Sequence, residues 1–225
     1  MIRLVLFDID GTLIATGGAG VKAFAAVART AFGQPDGVGH LNFAGRTDRS
    51  IVREFFDRSG LPSTTENIDR FLDDYLFWLD HYLARIPGRV LPGVGAAIAR
   101  LQAMDSPPVV GLLTGNIRLG AEIKLRHFGL WDAFALGAFG DDHEDRNVLA
   151  AIARDRGSQW IGGDLSGDEV LVIGDTPLDI ACARAIGARC LAVATGGSPL
   201  ATLQAHAPTW VATCLDEVDL PTLCG

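Results

Sequence analysis

Two short stretches hold the residues with the clearest chemical potential. Asp8-Ile9-Asp10-Gly11-Thr12 follows the apolar run Ile2–Phe7. Side chains two apart on an extended chain point the same way, so both carboxylates project together past the end of the predicted strand. Adjacent carboxylates repel, and the pair is tolerable where a cation lies between them or one acid keeps its proton. A turn that selects Asp and Gly for backbone reasons accounts for Gly11 but not for two acids after an apolar strand. Val172-Ile173-Gly174-Asp175-Thr176-Pro177-Leu178-Asp179 repeats the pattern, with acids at a strand end and in the first turn of a helix. If the two strands are neighbours, Asp175 and Asp179 face Asp8. Oxygen donors without His or Cys suit a hard cation, Mg²⁺ first. Asp179 could equally compensate the helix dipole.

The elements that position these residues follow from the pattern of apolar runs. Ile2–Phe7, Val109–Leu113, Val170–Ile173 and Cys190–Val193 read as buried strands, with weaker ones at Ala133–Leu136 and Thr209–Val211. Helical periodicity lies between them, at Val94, Ala97, Ile98 and Leu101, and at Ala181, Ala185 and Ile186 after Pro177. Alternating strands and helices predict an α/β fold, a Rossmann-like parallel sheet with helices on both faces. Residues 17–86 break the rhythm with three amphipathic helices. Val21, Phe24, Ala25, Ala28 and Phe32 mark the first. Ile51, Val52, Phe55 and Phe56 mark the second, with Thr47 as N-cap and Gly60 as stop. Ile68, Phe71, Leu72, Tyr75, Leu79 and Tyr82 mark the third. Gly17-Gly18 and Pro87-Gly88 are natural hinges. The expected division is a core of residues 1–16 and 87–225 with a helical insertion at 17–86. The insertion carries 8 of the 19 basic and 9 of the 27 acidic residues, so the core holds nearly all the excess acid.

Asp8-x-Asp10-Gly11-Thr12, Leu113-Thr114-Gly115-Asn116 and Gly174-Asp175-Thr176-x-x-Asp179 resemble motifs one, two and four of the haloacid dehalogenase-like hydrolases. The likeness spans the chain, and the helical insertion is similar to that family's C1 cap. Leu91-Pro92-Gly93-Val94 and Lys124-Leu125-x-x-Phe128-Gly129-Leu130 resemble the phosphoglycolate-phosphatase-like branch. The resemblance implies a phosphatase acting on a small phosphorylated metabolite of phosphoglycolate type. Asp8 would be the nucleophile and Asp10 the general acid and base. Mg²⁺ would be held by Asp8, the Asp10 carbonyl and Asp175, with Asp179 acting on metal-bound water. Thr114 and Gly115 would hold the phosphoryl oxygens, with Thr12 and Asn116 also at the substrate.

Motif three departs from the family, which supplies a Lys there. Lys124 falls in the helix after motif two, away from that position. Arg146, in Asp145-Arg146-Asn147, is the candidate: a cation in the first turn of a helix opposes the dipole, and its fork of donors suits phosphate. The competing role is to neutralise Asp141, Asp142, Glu144 and Asp145. In the cap, Ala44-Gly45-Arg46-Thr47-Asp48-Arg49 resembles the family's substrate-specificity loop, with Arg46 and Thr47 as substrate contacts. Arg49 and Arg53 fit better as a solvated face.

Composition narrows the alternatives. The formal charge of −8 argues against nucleic acid as ligand. Four scattered cysteines point to a reducing compartment. Ile2–Phe7 is too short for a signal peptide's apolar region. The uncharged stretch Cys190–Leu215 is broken by Gly and Pro, so no membrane span is expected. A cytoplasmic monomer or homodimer acting on a small phosphate ester is the expectation. A phosphosugar mutase of the same superfamily and a non-catalytic phosphate-binding or scaffold protein are the alternatives.

Overall fold

The computed structural model describes residues 1–225. In chain order the elements are β1 (Leu4–Phe7), β2 (Ile14–Ala15), α1 (Ala19–Phe32), α2 (Asp48–Ser59), α3 (Thr65–Leu83), β3 (Arg89–Val90), α4 (Val94–Gln102), β4 (Val109–Leu113) and α5 (Arg118–His127). They continue with β5 (Leu136–Ala138), α6 (Arg146–Ile161), β6 (Val170–Gly174), α7 (Pro177–Ala185), β7 (Arg189–Val193), α8 (Leu200–Ala205), β8 (Trp210–Ala212) and α9 (Leu220–Cys224). Six strands form one parallel sheet in the order β5-β4-β1-β6-β7-β8. All four residues of β1 are buried, as a central strand covered on both faces requires. Val5 and Phe7 pack on one side with Val94, Ile98 and Leu125, while Leu4 and Leu6 pack on the other with Leu149 and Ile180. The expected α/β sheet with helices on both faces is what forms.

Register brings the acidic strand ends together. Phe7 lies opposite Leu112 of β4 and Ile173 of β6. One step further along, Asp8 therefore comes level with Leu113 and Gly174, and Thr114 and Asp175 follow at the same edge. Ligands bind at this carboxyl edge in open parallel sheets.

The segment between β2 and β3 is helical, and α1, α2 and α3 enclose an apolar cluster that includes Phe24, Phe55, Phe56, Phe71 and Tyr75. Thr47 caps α2, its hydroxyl accepting from Ser50 N, and Gly60 ends the helix at φ 65°. The chain enters and leaves this segment along one short antiparallel pair, Ile14 with Val90 and Ala15 with Arg89. Gly17 is tight against the other crossing: a Cβ there would stand 2.5 Å from the Pro87 carbonyl oxygen.

Three details differ from expectation. Ala181 and Ala185 face outward and Ile180, Cys182 and Ala183 face inward, because the buried Asp179 side chain sets the rotation of α7. β5 begins at Leu136 rather than Ala133, since Trp131–Ala133 winds into a 3₁₀ turn closed by Phe134 N on Trp131 O. Val21 of α1 is 44% exposed instead of lying in the apolar stripe.

Candidate active site

Asp8 leaves β1 with its amide bonded to the Ile173 carbonyl at 2.9 Å, which fixes the nucleophile candidate between the central strands. Arg146, in the first turn of α6, reaches it: Nη2 stands 3.0 Å from Asp8 Oδ1 and also pairs with Asp179 Oδ1. The same guanidinium donates to the carbonyls of Leu113 and Gly45 at 3.3 and 3.2 Å. Asp145 caps α6, accepting from Asn147 N at 2.8 Å, so the helix end is satisfied independently of Arg146. The arginine turns into the sheet edge, away from the acids at 141–145.

Asp175 is 3% exposed, and its Oδ1 accepts from the Thr12 hydroxyl at 3.1 Å. Thr12 thus orients Asp175 and does not line the cavity. Gly11 and Gly196 leave the room this carboxylate occupies, for a Cβ on either would overlap Asp175. Asp179 is completely buried, and its Oδ2 accepts from Thr176 N at 2.9 Å and Thr176 Oγ1 at 2.8 Å. Both Asp179 oxygens are therefore committed, one to the start of α7 and one to Arg146. Asp179 thus ties the start of α7 to Arg146 while standing beside Asp8 and Asp175.

Carboxylate oxygens of Asp8, Asp175 and Asp179 lie within 4.8 Å of one another. Burial, offset in part by Arg146, raises the Asp8 carboxyl to about 6. Burial together with Asp179 and Asp8 raises Asp175 to about 8. One arginine does not neutralise the cluster, and an oxygen-only donor set short of positive charge fits a hard divalent cation. Asp8, Asp175 and Asp179 are the carboxylates grouped closely enough to hold it.

Asp10 Oδ2 accepts from Asn116 Nδ2 at 2.9 Å and from Lys124 Nζ at 2.6 Å, and Lys124 Nζ also donates to Asn116 Oδ1 at 2.6 Å. Lys124 is thus the residue that sequence reasoning set aside. Its signal is present in α5, where a lysine occupies an inward position beside Ala121 and Leu125 and is 4% exposed. A buried lysine needs a partner, and Asp10 and Asn116 supply it. Thr114 is fully buried and its Oγ1 accepts from Asn116 N at 3.3 Å and Nδ2 at 2.8 Å, so its own proton remains to donate.

The loop before α2 closes over this edge. Asp48 N donates to the Gly115 carbonyl at 2.8 Å, and Asp48 Oδ2 accepts from Ile117 N at 2.8 Å. A Cβ on Gly115 would overlap the Arg46 carbonyl. The two expected substrate contacts of this loop are engaged otherwise. Arg46 pairs with Glu54 and donates to the Ser50 carbonyl at 3.0 Å, because a neighbouring carboxylate on α2 captures the guanidinium. Thr47 donates to the Glu144 carbonyl at 3.0 Å and caps α2, and it does not line the cavity. The enclosed space is about 270 Å³. Asp8, Asp10, Thr114, Gly115, Asn116, Lys124, Arg146 and Asp175 form its sheet side, and Asp48, Tyr75, Phe24 and Phe43 are among its helical side.

A parallel sheet whose carboxyl edge presents an aspartate pair, a Thr-Gly-Asn turn, a buried arginine and a second acidic turn defines a hydrolase of the haloacid dehalogenase-like type. The family model of that description matches residues 5–193, and the chain belongs to this family. It is 26% identical over 233 residues to the protein named probable phosphatase IndB of Dickeya dadantii (strain 3937), covering 97% of this chain and 92% of that one. Among solved structures, a predicted phosphoglycolate phosphatase from Haemophilus somnus superposes with a TM-score of 0.73 at 17% identity, covering 100% of this chain and 98% of the other. CbbY from Rhodobacter sphaeroides, in complex with phosphate, gives 0.74 at 15% over 97% of both chains. The β-phosphoglucomutase of Clostridium difficile gives 0.74 at 13%, over 99% of this chain and 96% of that one. These structural likenesses establish a shared fold. No helix is long and apolar enough to cross a membrane.

Proposed function

We propose that this chain is a Mg²⁺-dependent phosphatase that hydrolyses a small phosphorylated metabolite through an aspartyl-phosphate on Asp8. The observation that carries the reading is the division of labour between the two acids of the first motif. Asp8 is buried against Arg146 beside Asp175, whereas Asp10, two residues on, is tied to Lys124 and Asn116 with its second oxygen free. An Asp8 oxygen would attack phosphorus and the ester P–O bond would break, with Asp10 giving its proton to the departing alcohol oxygen. Asp10 would then take a proton from water, which attacks phosphorus and breaks the P–O bond to Asp8, releasing inorganic phosphate. Arg146 and the Thr114 hydroxyl would hold the phosphoryl oxygens. Mg²⁺, held by Asp8, Asp175 and the Asp10 carbonyl, would supply the charge that lets two anions approach.

The resemblance implies a phosphoglycolate-like substrate with Arg46 as partner of its second anion, and the pairing of Arg46 with Glu54 engages that partner elsewhere. A scaffold that merely binds phosphate has no use for a held acid such as Asp10. All four cysteines are free thiols, in accord with an enzyme of a reducing, cytoplasmic setting. The test is release of inorganic phosphate from p-nitrophenyl phosphate and a panel of phosphorylated metabolites with Mg²⁺. Asp8→Asn is expected to abolish turnover without unfolding the chain, and EDTA to do the same to the wild type. Wild-type rates in either case overturn the mechanism. Isomerised sugar phosphate without phosphate release identifies a mutase.

A further inference from the structure

We propose that Asp48 and Tyr75 are specificity residues that select an uncharged, hydroxyl-bearing leaving group and disfavour a carboxylated one. This rests on the phosphatase reading above and concerns the helical side of the same cavity.

The first observation is what that side does not offer. Arg46, Arg49 and Arg53, the cations nearest the entrance loop, are committed to Glu54, Asp69 and Glu144. Of the three cations lining the cavity, Arg146 stands at the phosphoryl end, Arg46 is paired with Glu54, and the charge of Lys124 is already balanced by Asp10. With Asp48 beside them, the wall carries no surplus positive charge to receive a carboxylate or second phosphate.

The second observation is what it does offer. Tyr75 is 1% exposed as a residue and lines the cavity, and its hydroxyl makes no hydrogen bond to another residue while keeping contact with the cavity space. A buried tyrosine hydroxyl ordinarily finds a partner. Gly20 makes space there, since even a Cβ on it would stand 3.8 Å from both the Tyr75 hydroxyl and Lys124 Nζ. Asp48 spends Oδ2 on Ile117 N and leaves Oδ1 to the cavity. Its backbone is pinned to Gly115, so the acid is rigidly placed where helical segment and sheet edge meet. Burial, opposed by Lys124, raises its carboxyl to about 7, which equips it to donate as well as accept. Phe24 and Phe43, edge to face at 5.2 Å, give a carbon skeleton an apolar wall.

A site whose buried polar groups await substrate hydroxyls discriminates strongly against an alcohol that lacks them, because those groups then stay unpaired. The experiment compares kcat/KM, with Mg²⁺, for glycerol 3-phosphate and ribose 5-phosphate against phosphoglycolate and phosphoethanolamine. The better hydroxylated ester is expected to exceed both charged ones at least tenfold. Tyr75→Phe is expected to raise KM for that ester at least fivefold with a smaller change in kcat, and to give phosphoglycolate no benefit. Asp48→Asn keeps an acceptor for Ile117 N and removes the acid, so kcat/KM for phosphoglycolate is expected to rise about threefold or more. Damage to the fold cannot produce a gain on one ester beside a loss on another. Preference of the wild type for phosphoglycolate or phosphoethanolamine overturns the proposal, as does a parallel loss on all esters in both variants. Absence of phosphate release from every ester, p-nitrophenyl phosphate included, is a different result: it removes the phosphatase reading itself.

Discussion

Arg146 joins three carboxyl-edge elements through one guanidinium, so its removal has two separable consequences. Asp179 would remain buried with an uncompensated charge, which typically costs about 3–5 kcal/mol. Loss of a donor to the phosphoryl group would add a fall in turnover of at least tenfold, about 1.4 kcal/mol of transition-state stabilisation. Arg146→Ala is therefore expected to shift the urea midpoint and kcat together. Arg146→Lys should restore stability more than turnover, since an ammonium keeps the charge but not the fork. Full activity in Arg146→Ala would return the arginine to a purely structural role. Asp48 makes a different prediction. Its carboxyl is raised by burial from an ordinary 3.8 to about 7, so the folded chain holds the proton more tightly than the unfolded one. Its contribution to stability is present below about 3.8 and is lost as pH rises towards 7. The amide of Asp48→Asn does not titrate. The stability of that variant relative to wild type should thus increase between pH 4 and pH 8, by at most about 4 kcal/mol, in parallel urea titrations. A difference independent of pH would show that Asp48 titrates normally.

At the scale of elements, the turn after β4 and the loop before α2 meet closely enough to dictate residue type. Gly115 does not take a positive φ, so the left-handed region is not what demands glycine there. The demand is steric, because Arg46 and Thr47 backbone atoms occupy the position of a Cβ. Gly115→Ala is expected to hold the loop off the sheet edge, breaking the Asp48 N to Gly115 O bond. Turnover of small esters should fall at least tenfold while circular dichroism remains that of the wild type. Unchanged turnover would mean that this closure has no part in catalysis. Gly11 is constrained doubly, by φ 84° and by Asp175 lying where its Cβ would be. Glycine inside a motif turn thus has a different cause in each of the two turns.

For the whole molecule, the helical segment 17–86 has an apolar cluster of its own, to which the sheet-bearing part contributes buried Ile117 and partly buried Ile123 and Phe128. Aromatic contacts such as Phe24–Tyr75 at 4.7 Å and Phe55–Phe71 at 5.2 Å add about 0.5–1.5 kcal/mol each beyond area burial. Beside the packing of α3 on α5, the links across the cleft are individual polar contacts: Asp48 with Gly115 and Ile117, Thr47 with the Glu144 carbonyl, and Arg146 with the Gly45 carbonyl. Arg53–Glu144 is an exposed pair, a type worth at most about 1 kcal/mol, and the two crossings share one short ladder. This imbalance supports treating 17–86 as a unit that moves against a core of 1–16 and 87–225 without internal rearrangement. Vanadate with Mg²⁺ is expected to slow amide exchange at residues 44–48 and 115–117, with little change inside α1, α2 and α3. Protection spreading through all three helices would show that they repack on binding.

The strand-acid-turn stretches at Asp8 and Asp175, the Thr114 turn and the helical interruption were legible in the sequence because each is a local pattern. A buried parallel strand must be an apolar run, and its carboxyl edge must be where the polar residues begin. Arg146 was legible as a cation misplaced for its helix end, although which acids it meets was not. Side-chain partnerships between distant elements were beyond reach. Lys124 reads as an ordinary helix residue until α5 packs and carries it 114 positions back along the chain to Asp10. Tyr75 reads as one more member of an apolar stripe until the helical segment folds over the sheet and leaves its hydroxyl facing the cavity. Arg46 reads as a substrate contact until Glu54, eight residues on, competes for its guanidinium. Local periodicity determines which elements form and where their polar ends lie. Competition among partners brought together by packing decides which charges remain free, and that competition exists only in the tertiary structure.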